Sequence, residues 1–413
     1  MNLTNIFNIQ LMKKFMFMAV AVLLGATANA QNPAVAKQIK SAKDYQTVLG
    51  LLNSNLQSLA NDEKAVAYNK LVDLALEKFN KEQNVQITNQ AMKKDDPYDK
   101  VGMNEAAKNA LVAAIECDKY DQLPNAKGKV APKFRKKNAE RMTSARNALI
   151  NAGQDAYNGK DFEGAKEFFG LYVDSKNAPL FEGIEPIIND QFYGQVAYFA
   201  ALSAYNGHDY VNASKYAGEA LGEKESGKDA MDIKILSMKA QLKTKEDSVK
   251  YLNDIKALYD KDPADERMFA LLVEYYTSVN ENDAKKVLID SQVQNHPSKM
   301  AWALKGENDM GEKKWAEAIE SYKKSLALDP EFIQVQFNLA LCQNNQAISI
   351  KDANGGNLTP EAKSLLEESI ANLTKIKEKD PNRETINWAY ILYQAYYLIG
   401  NEEEAKKLES LIQ

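Results

Sequence analysis

Apolar residues recur along this chain at three- and four-residue spacing, in short runs broken by polar turns, and the clearest runs repeat one another. Leu149, Gly153, Ala156, Phe162, Ala165, Phe169 and Tyr172 mark one stretch, and Ala197, Ala201, Ala204, Tyr210, Ala213 and Ala220 mark the next. At their centres Tyr157-Asn158-Gly159-Lys160-Asp161-Phe162-Glu163-Gly164-Ala165 and Tyr205-Asn206-Gly207-His208-Asp209-Tyr210-Val211-Asn212-Ala213 are near twins. The same tyrosine-to-alanine interval returns from Tyr276 to Ala284 and from Tyr397 to Ala405. Helical periodicity on both sides of a short turn predicts antiparallel helix pairs, and the self-similarity predicts that the pairs stack. The small residues fall where two helices cross, since axes about 8–10 Å apart leave no room for large side chains at the crossing.

The stretch from Lys299 to Pro330 carries Trp302, Gly306, Trp315, Ala318, Tyr322 and Leu326, and closes on Leu328-Asp329-Pro330. These residues resemble the tetratricopeptide repeat, a unit of about 34 residues with a Trp, Leu, Gly, Tyr, Ala, Phe and Pro pattern. Lys305 and Asp309 depart from it, standing where the family prefers Leu and Tyr. The resemblance implies an all-α fold, an α-solenoid of antiparallel hairpins over residues 146–413. A further unit starts near Gln334 with Phe337, Leu339 and Ala340, and a loop insertion near 346–360, centred on Asp352-Ala353-Asn354-Gly355-Gly356-Asn357, interrupts it. The last unit runs from Asn387 to Gln413, and a weaker one, around Ile233 to Pro263, shares only its Asp-Pro ending. Residues 31–145 show helical periodicity in Tyr45–Leu59, Ala65–Phe79 and Glu105–Ile115, with polar breakers between. That region is either degenerate repeats or a helical cap.

At the front, Lys13-Lys14, the apolar run Phe15 to Leu24 and Ala28-Asn29-Ala30 have the three-part form of a secretory signal. Residues 1–30 are expected to be removed, with Gln31 first in the mature chain and translation starting at Met12. An apolar run this short does not span a bilayer, which takes about 20 residues, so no membrane span is expected after cleavage. Export places the chain in the periplasm or an equivalent compartment, where association with an envelope complex is open to it. The resemblance extends to exported repeat proteins of Bacteroidetes, whose short O-glycosylation acceptor Asp247-Ser248-Val249 also resembles.

Composition narrows function by exclusion. The formal net charge is −5, which argues against nucleic acid as a partner. Cys117 and Cys342 lack the spacing of a zinc or redox site and read as packing residues. With two histidines and no motif around any nucleophile, no catalytic residue, metal site or cofactor is expected, and the chain is not expected to be an enzyme. The densest charge feature is basic: Lys127, Lys129, Lys133, Arg135, Lys136, Lys137, Arg141 and Arg146. It is either a patch for acidic partners or a solvated helix face.

In the tetratricopeptide family the first helix of each hairpin lines a concave groove. Projected onto this chain, that arrangement places Tyr157, Tyr198, Tyr205, Phe269, Tyr276, Phe337, Tyr390 and Tyr397 on or near the groove, where rings offer large apolar area and an orienting hydroxyl. The competing expectation is that these rings fill gaps between hairpins. The Lys and Asn clamp of some family members is unmatched, since Ala303 and Glu307 stand at its first positions. The function expected is an exported scaffold that binds another protein, of unknown identity, in the groove. A glycan-binding envelope protein is the alternative, and a polysaccharide-active enzyme comes last.

Overall fold

The structure is a computed structural model that describes residues 32–412, so the expected signal lies outside the described residues. Among the described residues there are 19 α-helices and no strand. They form two compact units, one ending at Gln241 and the other starting at Leu242. The division falls inside the stretch Ile233 to Pro263, where the repeat pattern was weakest. The boundary expected at 145/146 instead lies inside a continuous helix, Arg135–Asn158.

The first unit opens with α1 (Pro33–Ser41) and α2 (Tyr45–Asn55), which pack on α3 (Asn61–Met92). Helix α3 then pairs along its length with α4 (Lys100–Asp121). Ala106, Ala107, Ala110, Ala113 and Ala114 are all buried on α4, and these short side chains let it approach α3 closely. The next pair is α5 (Arg135–Asn158) with α6 (Phe162–Ser175). After the short helix α7 (Glu185–Ile188), α8 (Tyr193–Asn206) pairs with α9 (Tyr210–Ala220), and α10 (Gly227–Ala240) packs on α9.

The second unit runs α11 (Lys245–Lys261), α12 (Glu266–Ser278), α13 (Asn282–Asn295), α14 (Lys299–Gly311), α15 (Trp315–Leu328), α16 (Ile333–Ala353), α17 (Pro360–Lys379), α18 (Ala389–Ile399) and α19 (Glu402–Ile412). Each helix from α11 on packs against the next. The insertion expected near 346–360 is helix as far as Ala353, because Ala347 and Ile350 pack among Ala362, Leu366 and Ala395 and extend α16. Only the segment from Asn354 to Thr359 is loop.

One turn recurs and defines the repeat better than any letter. Lys160, His208, Asn280, Lys313 and Gly400 all have φ near +60° to +80°. At each, the backbone N–H bonds three residues back, and the next N–H bonds five back, as in Lys160 to Tyr157 and Asp161 to Ala156. This left-handed cap ends the first helix and satisfies carbonyls its last turn leaves open. Five residues after the left-handed position stand Ala165, Ala213, Ala318 and Ala405, all buried; in the α12–α13 turn Lys285 stands there. Seven before it, Gly153 lies under Phe169 and Gly306 under Tyr322, where an added Cβ would come within 2.6 Å of either ring.

The three arginines of the basic run are held internally. Arg135 forms a double hydrogen bond with Asp118 at 2.7 and 2.9 Å, and Arg141 bonds Asp73. Arg146 is buried: it donates to Asp190 at 2.9 Å, to the Tyr172 carbonyl and to Ser175, and its guanidinium lies 3.6 Å over the Tyr172 ring. Tyr172 donates in turn to Asp190 at 2.9 Å, which ties the 176–192 connection, with buried Leu180, Phe181 and Ile187, to the hairpin before it. Only the lysines of the run stay exposed, so as a surface for acidic partners it is much reduced.

Candidate functional site

Helix α18 carries an aromatic stripe. Tyr390, Tyr393 and Tyr397 stand at successive three- and four-residue intervals, which align on one helix face. Tyr390 and Tyr397 are 56% and 64% exposed, and Tyr393 stacks on Tyr397 with centroids 6.2 Å apart. The opposite face of α18 is core: Ala389, Leu392 and Ala395 are buried. Ahead of the helix, Trp388 is buried and donates its indole N–H to the Asp380 carbonyl at 2.7 Å. Asp380 also accepts the backbone N–H groups of Glu384, Thr385 and Ile386, and these bonds, Ile386 first, hold its carboxyl below the usual range. The stripe is therefore mounted on a fixed base. Phe337 and Leu341 of α16 pack, half-buried, against the same core cluster as Tyr393.

The remaining expected residues separate by environment. Phe269 is 0% exposed, packed with Val273, Ile289 and Ala301, because helix α14 covers it; it belongs to the core, contrary to the groove expectation. Tyr276 is 9% exposed, and it sits one residue before the tyrosine position of the turn, where Ala156 and Ala204 stand in the twins. The equivalent of Tyr157 and Tyr205 is Thr277. Tyr276 nonetheless edges a groove of about 870 Å³ with Val249, Leu252, Tyr275 and Val279, and the Lys256 amine lies 5.7 Å over its ring. Tyr157 meets Phe162 and Phe199 edge-on, and its hydroxyl accepts from Asn206 at 3.2 Å. Tyr198 packs edge-on against Phe199, and burial raises its hydroxyl pKa. Tyr205 leans on Tyr210, whose hydroxyl is 3.0 Å from His208 Nδ1. These three half-buried rings fill the space within and between hairpins. Within the second unit the structure thus brings Tyr390 and Tyr397 onto one face of α18 and adds Tyr393, which sequence reading missed, with Phe337 packed against the same core cluster. The signal for Tyr393 was its four-residue interval to Tyr397.

No protein-family model matches the chain, and no curated protein matches it in sequence. Among solved structures, human IFIT1 with m7Gppp-AAAA is similar at 14% identity and a TM-score of 0.36, covering 78% of this chain and 70% of its own. The C-terminal part of a TPR repeat-containing protein from Cytophaga hutchinsonii has the same identity and score over 63% of this chain and 98% of its own. A tetratricopeptide repeat protein from Parabacteroides merdae matches at 13% identity and a TM-score of 0.27, over 65% and 100%. Likeness this distant says nothing of activity, and the hairpin fold stands on the turns and crossings described above.

Chemistry at these surfaces is sparse. Among the described residues no cluster of His, Cys, Asp and Glu is arranged to hold a metal ion, and no helix is long and apolar enough to cross a membrane. Cys117 and Cys342 are buried and unpaired with each other, and burial pushes both thiols up to about 12, which keeps them protonated at neutral pH.

Proposed function

We propose that this protein is an exported, non-enzymatic adaptor that binds a polypeptide partner through the tyrosine stripe of α18. The supporting observation is the exposure of Tyr390 and Tyr397 on a helix whose other face is locked in the core. Exposed rings on a rigid support lose little freedom on binding and bury much apolar area, which is how tyrosine serves at interfaces. The partner is read as a protein that presents apolar side chains to the rings and polar groups to their hydroxyls. Export is read from the basic and apolar stretch before Gln31.

The test pairs two measurements. A photo-crosslinker placed at Tyr397 in native cells should trap one defined protein, and Tyr390→Ala with Tyr397→Ala should remove that product while far-UV helicity stays unchanged. No discrete product, or an unchanged one in the double variant, sinks the stripe as a binding surface. Intact mass of the exported protein should give Gln31 as the first residue; a cytoplasmic chain that retains the leader rejects export.

A further inference from the structure

A second surface, in the first unit, has a different character. Helices α3, α4 and α5 line a cleft of about 760 Å³, whose lining includes the buried Met103. Its lining is dominated by neutral amides: Asn80, Gln83 and Gln86 from α3, Asn104 from α4, and Asn147 and Asn151 from α5. Thr143 and Ser144 add hydroxyls. Ser144 donates to Gln83 at 3.2 Å and joins α5 to α3. The side chains of Asn80, Gln86, Asn104, Thr143, Asn147 and Asn151 bond to no protein group among the described residues. The charges at the cleft largely cancel: Lys100 meets Asp155 at 2.7 Å, and Arg141 is held by Asp73 and Asn69, leaving Glu140.

We propose that this cleft holds an extended polypeptide by its main chain, with little selection among side chains. An amide side chain both donates and accepts, as a peptide group does, so each rung can pair with a backbone N–H and C=O. The spacing fits. Thr143, Asn147 and Asn151 recur every four residues, a rise of about 6 Å along a helix, and alternate residues of an extended chain repeat every 6.4–6.8 Å or so. Successive rungs therefore meet the same edge of a strand lying along α5. The near-neutral lining disfavours a strongly charged ligand, and the absence of any aromatic ring among the lining residues removes the stacking face that a sugar ring would use. This inference shares the ligand class of the adaptor reading and rests on it to that extent, while the surface is separate from the stripe.

The test uses the full chain and three fluorescein-labelled probes: two uncharged twelve-residue peptides with unrelated side chains, and a copy of the first N-methylated at alternate residues. Fluorescence anisotropy should give similar affinities for the two unmodified peptides and at least tenfold weaker binding for the N-methylated one. Asn147→Ala with Asn151→Ala, both at exposed positions, should weaken the unmodified peptides at least tenfold with helicity preserved. Equal binding of the N-methylated probe, no binding of either unmodified peptide at millimolar protein, or binding of a neutral oligosaccharide in their place overturns the proposal. Tyr390→Ala with Tyr397→Ala distinguishes the two surfaces: if it alone abolishes peptide binding, the stripe stands and the cleft falls, and if only the asparagine pair does so, the cleft stands without the stripe.

Discussion

The turns after Tyr157 and Tyr205 and the turn between α12 and α13 share a tyrosine-to-alanine interval, yet they differ by one residue in where the backbone turns left-handed. One residue is about 100° around a helix, so the shift exchanges faces. Tyr157 and Tyr205 stay half-buried beside the turn, whereas Tyr276 is almost covered and Ala284 leaves the crossing. The crossing differs in the same way. Gly153 under Phe169 and Gly306 under Tyr322 set ring on backbone, while Val273 and Ile289 occupy those places between α12 and α13. What repeats is the geometry of a turn and a crossing, which several residue combinations satisfy.

The largest effect should come from a feature that the α12–α13 pair lacks, the buried cation at the first of these hairpins. Removing one partner of a buried ion pair leaves the other charge uncompensated, at a cost of about 3–5 kcal/mol. Arg146→Ala strands Asp190 and also removes the guanidinium from the Tyr172 ring, so urea denaturation should show a loss of that size. Arg146→Ala together with Asp190→Ala should lose less than the sum of the singles, because neither charge then remains. Additive losses would mean that the pair contributes nothing as a pair.

Next come the crossings themselves. Gly153→Val and Gly306→Val force a ring out of its seat, and overpacking of this kind costs about 1–3 kcal/mol. Val273→Gly should also destabilise, since it opens a void beside Ile289 and adds backbone freedom to a helix. Glycine and valine are each right only in their own hairpin, and a neutral Gly306→Val measured by thermal melting would break that contrast. This is also where sequence reading reached its limit. The glycine and its facing ring fall at a fixed offset from the turn, so the Gly306 hairpin was legible from its letters. Phe269 was not, because its burial comes from α14, an element that pattern alone does not place above it. Tyr276 was misplaced because the interval was counted from tyrosine to alanine. Asn280, a residue that tolerates the left-handed region, was the better marker. The helix that carries Tyr390 and Tyr397 was legible because it is a short apolar stretch closed by a turn at Gly400. The amide cleft was not, since its walls come from three helices and no single stretch shows it.

A smaller contrast separates three of the Asp-Pro joints, and at Asp380 it depends on pH. Asp380 accepts three backbone N–H groups, Asp329 is lowered chiefly by Lys299 at 2.6 Å, and Asp262 accepts one N–H, from Ala264. A carboxyl whose folded pKa is depressed stabilises the fold above its unfolded value, about 3.9 for aspartate. That stabilisation is lost as pH falls from there through the folded value. Asp380→Asn should therefore lower the Tm at pH 7, with the gap to the parent chain closing toward pH 3. A constant gap for Asp380→Asn would show that its role is shape alone.

The smallest effects test the register of the turns directly. A left-handed conformation costs an ordinary L-residue about 1–2 kcal/mol, and glycine removes that strain while giving back roughly half of it through a freer unfolded chain. Lys160→Gly and His208→Gly should each stabilise by less than about 1 kcal/mol, whereas Asn280→Gly should change almost nothing, because asparagine already tolerates the region. Gly400→Ala should run the other way and destabilise by about 1 kcal/mol, since alanine has no such tolerance at φ +82°. Val279→Gly separates this assignment from the one counted by letters: Val279 follows Tyr276 at the interval that Lys160 keeps from Tyr157, yet its backbone stays right-handed at φ −100°. Glycine there relieves no strain and should only loosen the end of α12. If thermal melts showed Val279→Gly stabilising and Asn280→Gly destabilising, the left-handed position would lie one residue earlier, and Tyr276 would rejoin Tyr157 and Tyr205.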